Sequence, residues 1–217
     1  MTLHPFHASR TVPKALVCAT LAVLLAAPAV AAPTDQDQGP PRAVARVQEA
    51  VLSIPAIGVS DLAVIPYEGS PDDAPGTLIQ DRGVAASPYG PRGGVGPGDV
   101  GNYIVTAHRI TAGGPLWSLP SLEKGASVFV TADGVRYEYV ITTTRTTSFR
   151  SQASIDAQRA AVPGSPGTAP TQAMITVSTC LTPEDNAAGN FWRDAQNNPE
   201  HRLDKIGVLT ATEPQKQ

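Results

Sequence analysis

The feature that most constrains the fold of this chain is a β-hairpin pattern around Asp133-Gly134. Residues 128–130 form a short apolar run, and Asp-Gly is a favoured two-residue turn between antiparallel strands. After the turn, Arg136 and Glu138 alternate with apolar side chains, which are Val135, Tyr137, Tyr139 and Ile141. A period of two places alternate side chains on one face of a strand. This part of the chain is therefore predicted to form two antiparallel strands with one buried face.

Other short apolar runs predict further strands at residues 102–107, 174–180 and 206–210. The 21 prolines and 19 glycines leave little room for long helices. Helical character is expected only weakly over residues 43–52 and for one or two turns over residues 155–161. The fold class is therefore predicted to be all-β, a barrel or a sandwich.

The segment between residues 68 and 101 is rich in Gly, Pro and Asp, and we predict that it is mostly loop. Composition also excludes several classes of function. A net charge of −3 gives no basic field for nucleic acid, and aromatic residues at 5% do not form a base-stacking platform. No His or Cys cluster has metal-ligand spacing. We therefore predict no cofactor, no metal and no nucleic-acid partner.

The N-terminal segment has the pattern of an export signal. Arg10 and Lys14 precede an apolar run over residues 15–32, which includes a cleavage-like Ala29-Val30-Ala31. The run is at the lower edge for a bilayer span and contains a proline. A cleaved signal peptide and a retained membrane anchor both fit residues 1–32.

Residues 33–50 are predicted to be a polar, Pro-rich linker, and residues 51–217 the catalytic domain. Because of the export segment, the protein is expected at the extracellular face of the plasma membrane, or secreted to the cell wall. Of the two cysteines, Cys18 lies in the export segment. Cys180 is then a single thiol in an oxidising compartment, either a small buried hydrophobe or a reactive group.

Two reactive residues end two of the predicted strands. His108 follows residues 102–107, and Cys180 closes residues 174–180. Strand ends hold side chains in place while leaving them open to substrate. An imidazole beside a thiol stabilises the thiolate and then protonates a departing amine. The pair suits acyl transfer, although His108 also fits an exposed histidine at the edge of a loop.

Several motifs resemble those of the sortases, and of their class E in particular. Residues 97–102 read PGDVGN and lead through a short apolar strand to His108-Arg109. Residues 114–117 read GPLW, and residues 176–180 read TVSTC, which is similar to the sortase T-L-x-T-C motif. Residues 54–59 resemble the entry strand of the family. The resemblance extends over most of the chain after the export segment.

The resemblance implies a closed eight-stranded β-barrel with short helices and long loops. It also implies that Cys180 cleaves a C-terminal sorting signal of the LPXTG or LAXTG type on exported proteins, through a thioacyl intermediate. An amine of a peptidoglycan precursor would accept the acyl group, and His108 would act as acid and base. Ser178 and Thr179, which precede the nucleophile, and Trp192 are the predicted substrate-binding residues.

The family also places an arginine on the last strand, where it stabilises the oxyanion. Arg202 is the preferred candidate because Leu203 follows it as in the family pattern, but Asp204-Lys205 intervenes before the predicted strand 206–210. Arg193 is the second candidate. Lys205 is a poor one, because lysine lacks the planar fork of arginine.

Two alternatives remain open. The same Cys–His pair could serve a cysteine peptidase or other hydrolase, because the nucleophile that reaches the thioester decides the product. The chain could also be a secreted binding domain that kept the barrel and lost turnover. The long polar stretch over residues 181–200 could cover the site or form a surface loop without a role.

Overall fold

The computed structural model describes residues 47–215, which form a closed eight-stranded β-barrel with short helices, so the predicted fold class is confirmed. The strands are β1 Ala50–Ile54, β2 Val59–Glu68, β3 Ala85–Tyr89, β4 Gly101–Thr106, β5 Ser127–Ala132, β6 Val135–Ser148, β7 Ala173–Cys180 and β8 His201–Pro214. The α-helices are α1 Ala74–Gln80, α2 Gln152–Arg159 and α3 Thr182–Ala187, and Pro55–Ile57 and Leu119–Ser121 are single 3-10 turns.

The strands follow one another around the barrel in the order β1-β2-β3-β4-β7-β8-β6-β5, and β5 pairs with β1 to close it. The pairs β2–β3 and β4–β7 are parallel, and the other pairs are antiparallel. Closure satisfies the backbone groups that an open sheet would leave unpaired at its edges.

The predicted hairpin is present between β5 and β6. Asp133 and Gly134 have φ values of 49° and 69°, and positive φ at both central residues is the requirement of a type I′ turn. Tyr137, Tyr139 and Ile141 lie in the hydrophobic core, as their alternation predicts.

The barrel interior holds the apolar core, to which β4, β7 and the residue after β4 contribute alternate side chains, namely Tyr103, Val105, Ala107, Ile175 and Val177. The opposite face of these two strands is buried as well, and most of its side chains are polar, although Ile104 and Met174 also lie on it. On that face Gln80 of α1 bonds Thr106, and Gln158 of α2 bonds Ser178. The two helices therefore cover the outer face of the strands that carry the predicted reactive residues.

The predicted weak helix over residues 43–52 is wrong from Ala50 onward, where β1 begins. Ala50, Leu52 and Ile54 alternate into the core, and the strand pairs with both β2 and β5. The predicted domain start at residue 51 therefore falls one residue inside β1. Residues 1–46, with the predicted export segment and most of the linker, lie outside the described part of the chain.

The segment over residues 68–101 lies mostly outside helices and strands, as predicted, but it also contains α1 and β3, which the sequence did not indicate. Asp73 caps α1 by accepting a hydrogen bond from the Gly76 amide at 3.1 Å, and Pro75 occupies the first turn, where its missing N–H costs nothing. The last strand is also longer than residues 206–210, since β8 starts at His201. Within residues 47–215, no helix combines the length and apolarity needed to cross a membrane.

Candidate active site

The parallel pairing of β4 with β7 brings His108 and Cys180 to the same end of the barrel. Thr106 pairs with Ser178 in this register, and the Ala107 amide donates to the Ser178 carbonyl oxygen at 3.3 Å. His108 lies two residues beyond Thr106, and Cys180 lies two residues beyond Ser178. Parallel neighbouring strands end on the same side of the barrel, so the two residues are neighbours although 72 positions separate them in the chain.

Both residues line one cleft of about 290 Å³. The other residues around it are Thr77, Asp81, Arg109, Ile110, Thr111, Thr182, Arg193, Gln196, Asn197, Asn198 and Pro199. They come from α1, from the segment after β4 and from the segment between β7 and β8. The structure thus brings the predicted nucleophile and the predicted acid–base residue together in a cleft that is open to solvent.

Cys180 is the free cysteine among residues 47–215, and its side chain is nearly buried. Burial raises the pKa of the thiol to about 11. Arg202 acts against this rise, while the carboxylates of Asp72 and Asp194 add to it. The sulfur lies 4.0 Å from the Asn198 side-chain oxygen, which accepts its hydrogen bond. In this state the thiol form is favoured.

His108 is held by a carboxylate at the end of α1. Its Nε2 atom lies 2.9 Å from Asp81 Oδ1, and the imidazole is largely buried while the Asp81 side chain is exposed. Asp81 directly follows α1, and its backbone amide donates to the Thr77 carbonyl oxygen at 2.9 Å. The position of this carboxylate is therefore set by the end of the helix.

Arg202 lies directly opposite Cys180 in the antiparallel pairing of β7 and β8, so the two side chains are on the same face of the sheet. The guanidinium is fully buried, and its carbon lies 3.9 Å from the ring centre of Phe149. Nε donates to Asp72 Oδ2 at 2.8 Å, and Nη1 donates to the Pro199 carbonyl oxygen at 2.5 Å. Arg202 is thus on the nucleophile's face with its charge already paired.

One nitrogen of this guanidinium is not used in a hydrogen bond. Nη2 of Arg202 is buried and has no hydrogen-bond partner among the described residues. Oδ2 of Asp194 is 3.9 Å from Nη2, which is too long for a hydrogen bond. Arg202, which is paired with Cys180 across the two strands, therefore has one donor nitrogen, Nη2, that makes no hydrogen bond.

Arg193 lies in the segment between α3 and β8 and lines the cleft. It donates to the Trp192 carbonyl oxygen and to the Asn186 side-chain oxygen, both at 2.7 Å. It is partly exposed and pairs with no carboxylate within 4.0 Å among residues 47–215. The two arginine candidates thus differ: Arg202 is buried opposite Cys180, and Arg193 is at the rim of the cleft.

The three predicted substrate-binding residues do not line the cleft. Ser178 is fully buried and donates to Asp204 Oδ1 at 2.7 Å. Thr179 is buried and donates to the Ala107 carbonyl oxygen at 2.7 Å. Trp192 lines a separate groove with Phe149 and other residues. The hydroxyls of Ser178 and Thr179 bond to groups of the protein itself, so a role of these residues and of Trp192 in substrate binding stays a prediction.

The pair Asp204-Lys205 belongs to β8 and does not form a loop before it. Asp204 accepts hydrogen bonds from Thr147, Ser178 and Gln158 at 2.6 to 2.8 Å, and its burial raises the pKa of its carboxyl group. Lys205 donates to the Leu122 carbonyl oxygen. Both side chains are satisfied inside the fold, so the strand continues through them and reaches back to Arg202.

Arg109 is a further residue of the site to which the sequence assigned no role. Its guanidinium donates to both carboxylate oxygens of Glu184 at 3.2 Å, and Nε donates to the Trp117 carbonyl oxygen at 2.6 Å. Glu184 is in the first turn of α3, which begins two residues after Cys180. Arg109 therefore ties the segment after His108 to the helix after Cys180. The sequence signal for a role of Arg109 was its position directly after His108 in the motif that resembles the sortases.

Asp72 and Asp81 were also missed, and no sequence motif marks them. Each contacts a residue far along the chain, so only the fold reveals its partner. The residues that the structure describes contain no group of His, Cys, Asp or Glu side chains arranged to hold a metal ion.

A model of the sortase domain family matches residues 52–196. Sortase E from Streptomyces avermitilis is 25% identical, with a TM-score of 0.54 over 76% of this chain and 89% of that chain. The SrtA sortase from Actinomyces oris is 18% identical, with a TM-score of 0.58 over 82% of this chain and 89% of that chain.

A third solved structure is sortase E1 from Streptomyces coelicolor with a tripeptide in the active site. It is 22% identical to this chain, with a TM-score of 0.55 over 77% of this chain and 90% of that chain. The comparison with curated proteins gives no match. The solved structures share the barrel, and the family model spans more than half of the sequence and contains both His108 and Cys180. The chain belongs to the sortase family of transpeptidases.

Proposed function

We propose that this protein cleaves a C-terminal sorting signal of the LPXTG or LAXTG type and transfers the exported protein to a cell-wall amine. The observation that carries the proposal is the shared cleft of Cys180 and His108, with Arg202 opposite Cys180 on the adjacent strand. A thiol, an imidazole and a guanidinium on one face are the groups that acyl transfer through a thioester needs.

In the proposed reaction His108 takes the thiol proton as the Cys180 sulfur attacks the carbonyl carbon of the scissile Thr–Gly bond. The oxygen becomes an anion, and the unused Nη2 of Arg202 is the donor that stabilises it. The carbon–nitrogen bond then breaks, and the proton on His108 goes to the departing amine. The thioester is resolved when an acceptor amine attacks it and the thiol regains a proton.

We propose that the acceptor is an amine of a peptidoglycan precursor and that the enzyme resembles the class E sortases. The motifs PGDVGN and TVSTC support this class, as does the 25% identity to sortase E from Streptomyces avermitilis. Action on exported proteins implies a place at the extracellular face of the plasma membrane or in the cell wall. The apolar run over residues 15–32 is the sequence support for that place, either as an anchor or as a cleaved signal.

Mass spectrometry of the protein mixed with sorting-signal peptides tests this proposal. We expect the wild type to gain the mass of the acyl part of one peptide on Cys180, because a thioester forms before the amine arrives. Cys180→Ala should form no adduct and keep the circular dichroism spectrum of the wild type. Cleavage of a sorting peptide by Cys180→Ala would show that Cys180 is not the nucleophile.

A second candidate function is favoured by the state of the thiol. Burial raises the pKa of Cys180 to about 11, and an inert thiol is what a binding domain without turnover would hold. Wild-type protein that binds a sorting peptide and forms no adduct would support this candidate.

Hydrolysis is separated from transfer by adding a peptidoglycan stem peptide, since a transferase yields the ligated product and a hydrolase yields the free acid.

A further inference from the structure

The segment that contains α1 contacts both basic residues of the site, one near each of its ends. Asp72, just before the N-terminal end of α1, pairs with Arg202, and Asp81, just after the C-terminal end, pairs with His108. We propose that residues 72–81 are a positioning element that orients His108 and Arg202 together. The inference rests on the proposed function and adds two positioning residues to it.

Asp81 determines which nitrogen of His108 is free to act. An ionised carboxylate only accepts hydrogen bonds, so Nε2 of His108, at 2.9 Å from Asp81 Oδ1, must carry a proton. In the neutral imidazole the lone pair is then on Nδ1. Nδ1 is therefore the atom that takes the proton of Cys180 and later gives it to the leaving amine.

Asp72 holds the guanidinium of Arg202 by one end. Its Oδ2 accepts from Nε of Arg202 at 2.8 Å, and both side chains are buried. Asp72 has a φ of 57°, in the left-handed region that few non-glycine residues adopt. This backbone conformation is part of the loop that brings the carboxylate to Arg202. With Nε fixed in this way, Nη2 stays without a hydrogen bond and is available to a developing oxyanion.

Gln80 links the two contacts. Its buried side-chain nitrogen donates to Asp72 Oδ1 at 2.8 Å and to Thr106 Oγ1 at 3.0 Å. Thr106 is at the end of β4, two residues before His108, and Gln80 directly precedes Asp81. One amide therefore connects the carboxylate on Arg202 to the strand that carries His108, and a shift of α1 would disturb both basic residues.

The first test removes the carboxylate on His108. In Asp81→Ala we expect the thioacylation rate at saturating peptide to fall about tenfold, as misplacement of a catalytic group does, with the apparent KM nearly unchanged. The ¹⁵N spectrum of His108 should report the Nε2–H tautomer in the wild type and a mixture in the variant. Asp73→Asn is the matched control: it removes a carboxylate of the same segment, and Asn still caps a helix.

The second test separates the hydrogen bond of Asp72 from its charge. Asp72→Gly removes the carboxylate at a φ that glycine adopts freely, and we expect thioacylation to fall about tenfold because Arg202 loses its anchor. Asp72→Asn keeps one oxygen as an acceptor for Nε but loses the second, which accepts from Gln80, so we expect the rate to return in part.

Alkylation of the thiol by iodoacetamide gives a readout that needs no peptide. The charged groups around Cys180 are Arg202 on β8, Asp72 before α1, and Asp194 and Arg193 between α3 and β8, and His108 shares the cleft. Asp72 raises the pKa of the thiol, so its neutral replacement in Asp72→Asn should lower that pKa. The alkylation rate at pH 8 should rise about threefold, because it follows the thiolate fraction.

The inference is overturned if Asp81→Ala keeps the wild-type tautomer and rate, or if Asp72→Gly thioacylates like Asp73→Asn. A wild type that forms no adduct with any peptide contradicts the proposed function instead. In that event the tautomer of His108 and the alkylation rate of Cys180 still decide whether residues 72–81 orient the side chains of His108 and Arg202. The two failures are therefore distinguishable.

Discussion

At the scale of single residues, the site is a set of charges that act on one buried thiol in opposite directions. Burial and the carboxylates of Asp72 and Asp194 favour the neutral thiol of Cys180, and Arg202 favours the thiolate. Burial has the largest effect of these, so the neutral thiol is favoured in the resting protein. The reaction then depends on proton transfer to His108 once a substrate carbonyl lies in the cleft.

The two arginine candidates can be separated by replacement with lysine. We expect Arg202→Lys to reduce the thioacylation rate by about 10²-fold, because a lysine keeps the charge but loses the fork that serves Asp72 and the oxyanion. Since Arg202 is fully buried with two hydrogen bonds, the variant should also lose about 1–3 kcal/mol of stability. Quenched-flow mass spectrometry measures the thioacylation rate, and urea unfolding measures the stability.

Arg193→Lys is the matched variant at the rim of the cleft. Its hydrogen bonds are to the Trp192 carbonyl oxygen and the Asn186 side chain, so we expect little change in either thioacylation or unfolding. If Arg193→Lys were the slower enzyme, the oxyanion donor would come from the segment between α3 and β8, and the cross-strand position of Arg202 would serve stability alone.

At the scale of elements, β8 owes its length to polar residues that find partners on other elements. Asp204 is buried between β6, β7 and α2, where Thr147, Ser178 and Gln158 donate to it. Lys205 reaches the carbonyl oxygen of Leu122. A buried carboxyl group without hydrogen bonds would destabilise the strand, and the three hydrogen bonds that Asp204 accepts allow the strand to extend to Arg202.

Asp204 should make stability depend on pH in an unusual direction. Burial raises the pKa of its carboxyl group, so the folded state holds this proton more tightly than the unfolded state. The contribution of Asp204 is therefore greatest below the unfolded pKa of about 3.9 and is lost as pH rises through the raised folded pKa. The free energy of unfolding of the wild type minus that of Asp204→Asn should fall over this interval in urea titrations.

Glu200→Gln supplies a control with the opposite sign. Hydrogen bonds from Asn190 and Ser148 lower the pKa of Glu200, so its contribution is gained as pH rises and is lost as pH falls through the lowered pKa. A difference between wild type and Asp204→Asn that stays constant from pH 4 to pH 8 would contradict the assignment of a raised pKa to Asp204.

The elements that the sequence predicts best are those whose pattern is local. The hairpin turn and the alternation after Asp133-Gly134 predict β5 and β6, and continuous apolar runs ending in His108 and Cys180 predict β4 and β7. The start of β8 was missed because the burial of Asp204 and Lys205 depends on partners far away in the chain. The cap at Asp73 was a local signal for α1 that the Gly and Pro around it obscured.

The site residues, like the strands, were predictable where the signal is local in the sequence. Motif resemblance indicates Cys180 and His108, and the structure places both in one cleft. The roles proposed for Asp72 and Asp81 depend on contacts across 130 and 27 positions of the chain, which no local pattern encodes. Ser178 illustrates the converse: the period of two places it on the same face as Cys180, but the local sequence does not reveal that its hydroxyl is bonded to Asp204 and Gln158.

At the scale of the whole molecule, β1 closes the barrel by pairing with β2 on one side and β5 on the other. Its inward side chains Leu52 and Ile54 are fully buried, and each contributes about 1.5–3 kcal/mol through burial. Removing β1 would expose these contacts and create two strand edges at once.

A chain beginning at residue 55 should therefore lose cooperative unfolding, while a chain beginning at residue 47 should keep it. Thermal unfolding followed by circular dichroism at two wavelengths compares the two. Equal transitions for both chains would mean that the barrel is stable without its first strand, and that the pairing of β1 with β5 adds little.

The parallel pairing of β4 with β7 has a consequence for how the molecule could be divided. Opening the chain at the Asp133-Gly134 turn would leave His108 in the first half and both Cys180 and Arg202 in the second. Neither fragment alone would hold the reactive pair, which exists only when β4 and β7 are in register. Acyl transfer by mixed fragments would then be a signal of their association, and the enzyme would serve as a split reporter for proteins fused to its halves.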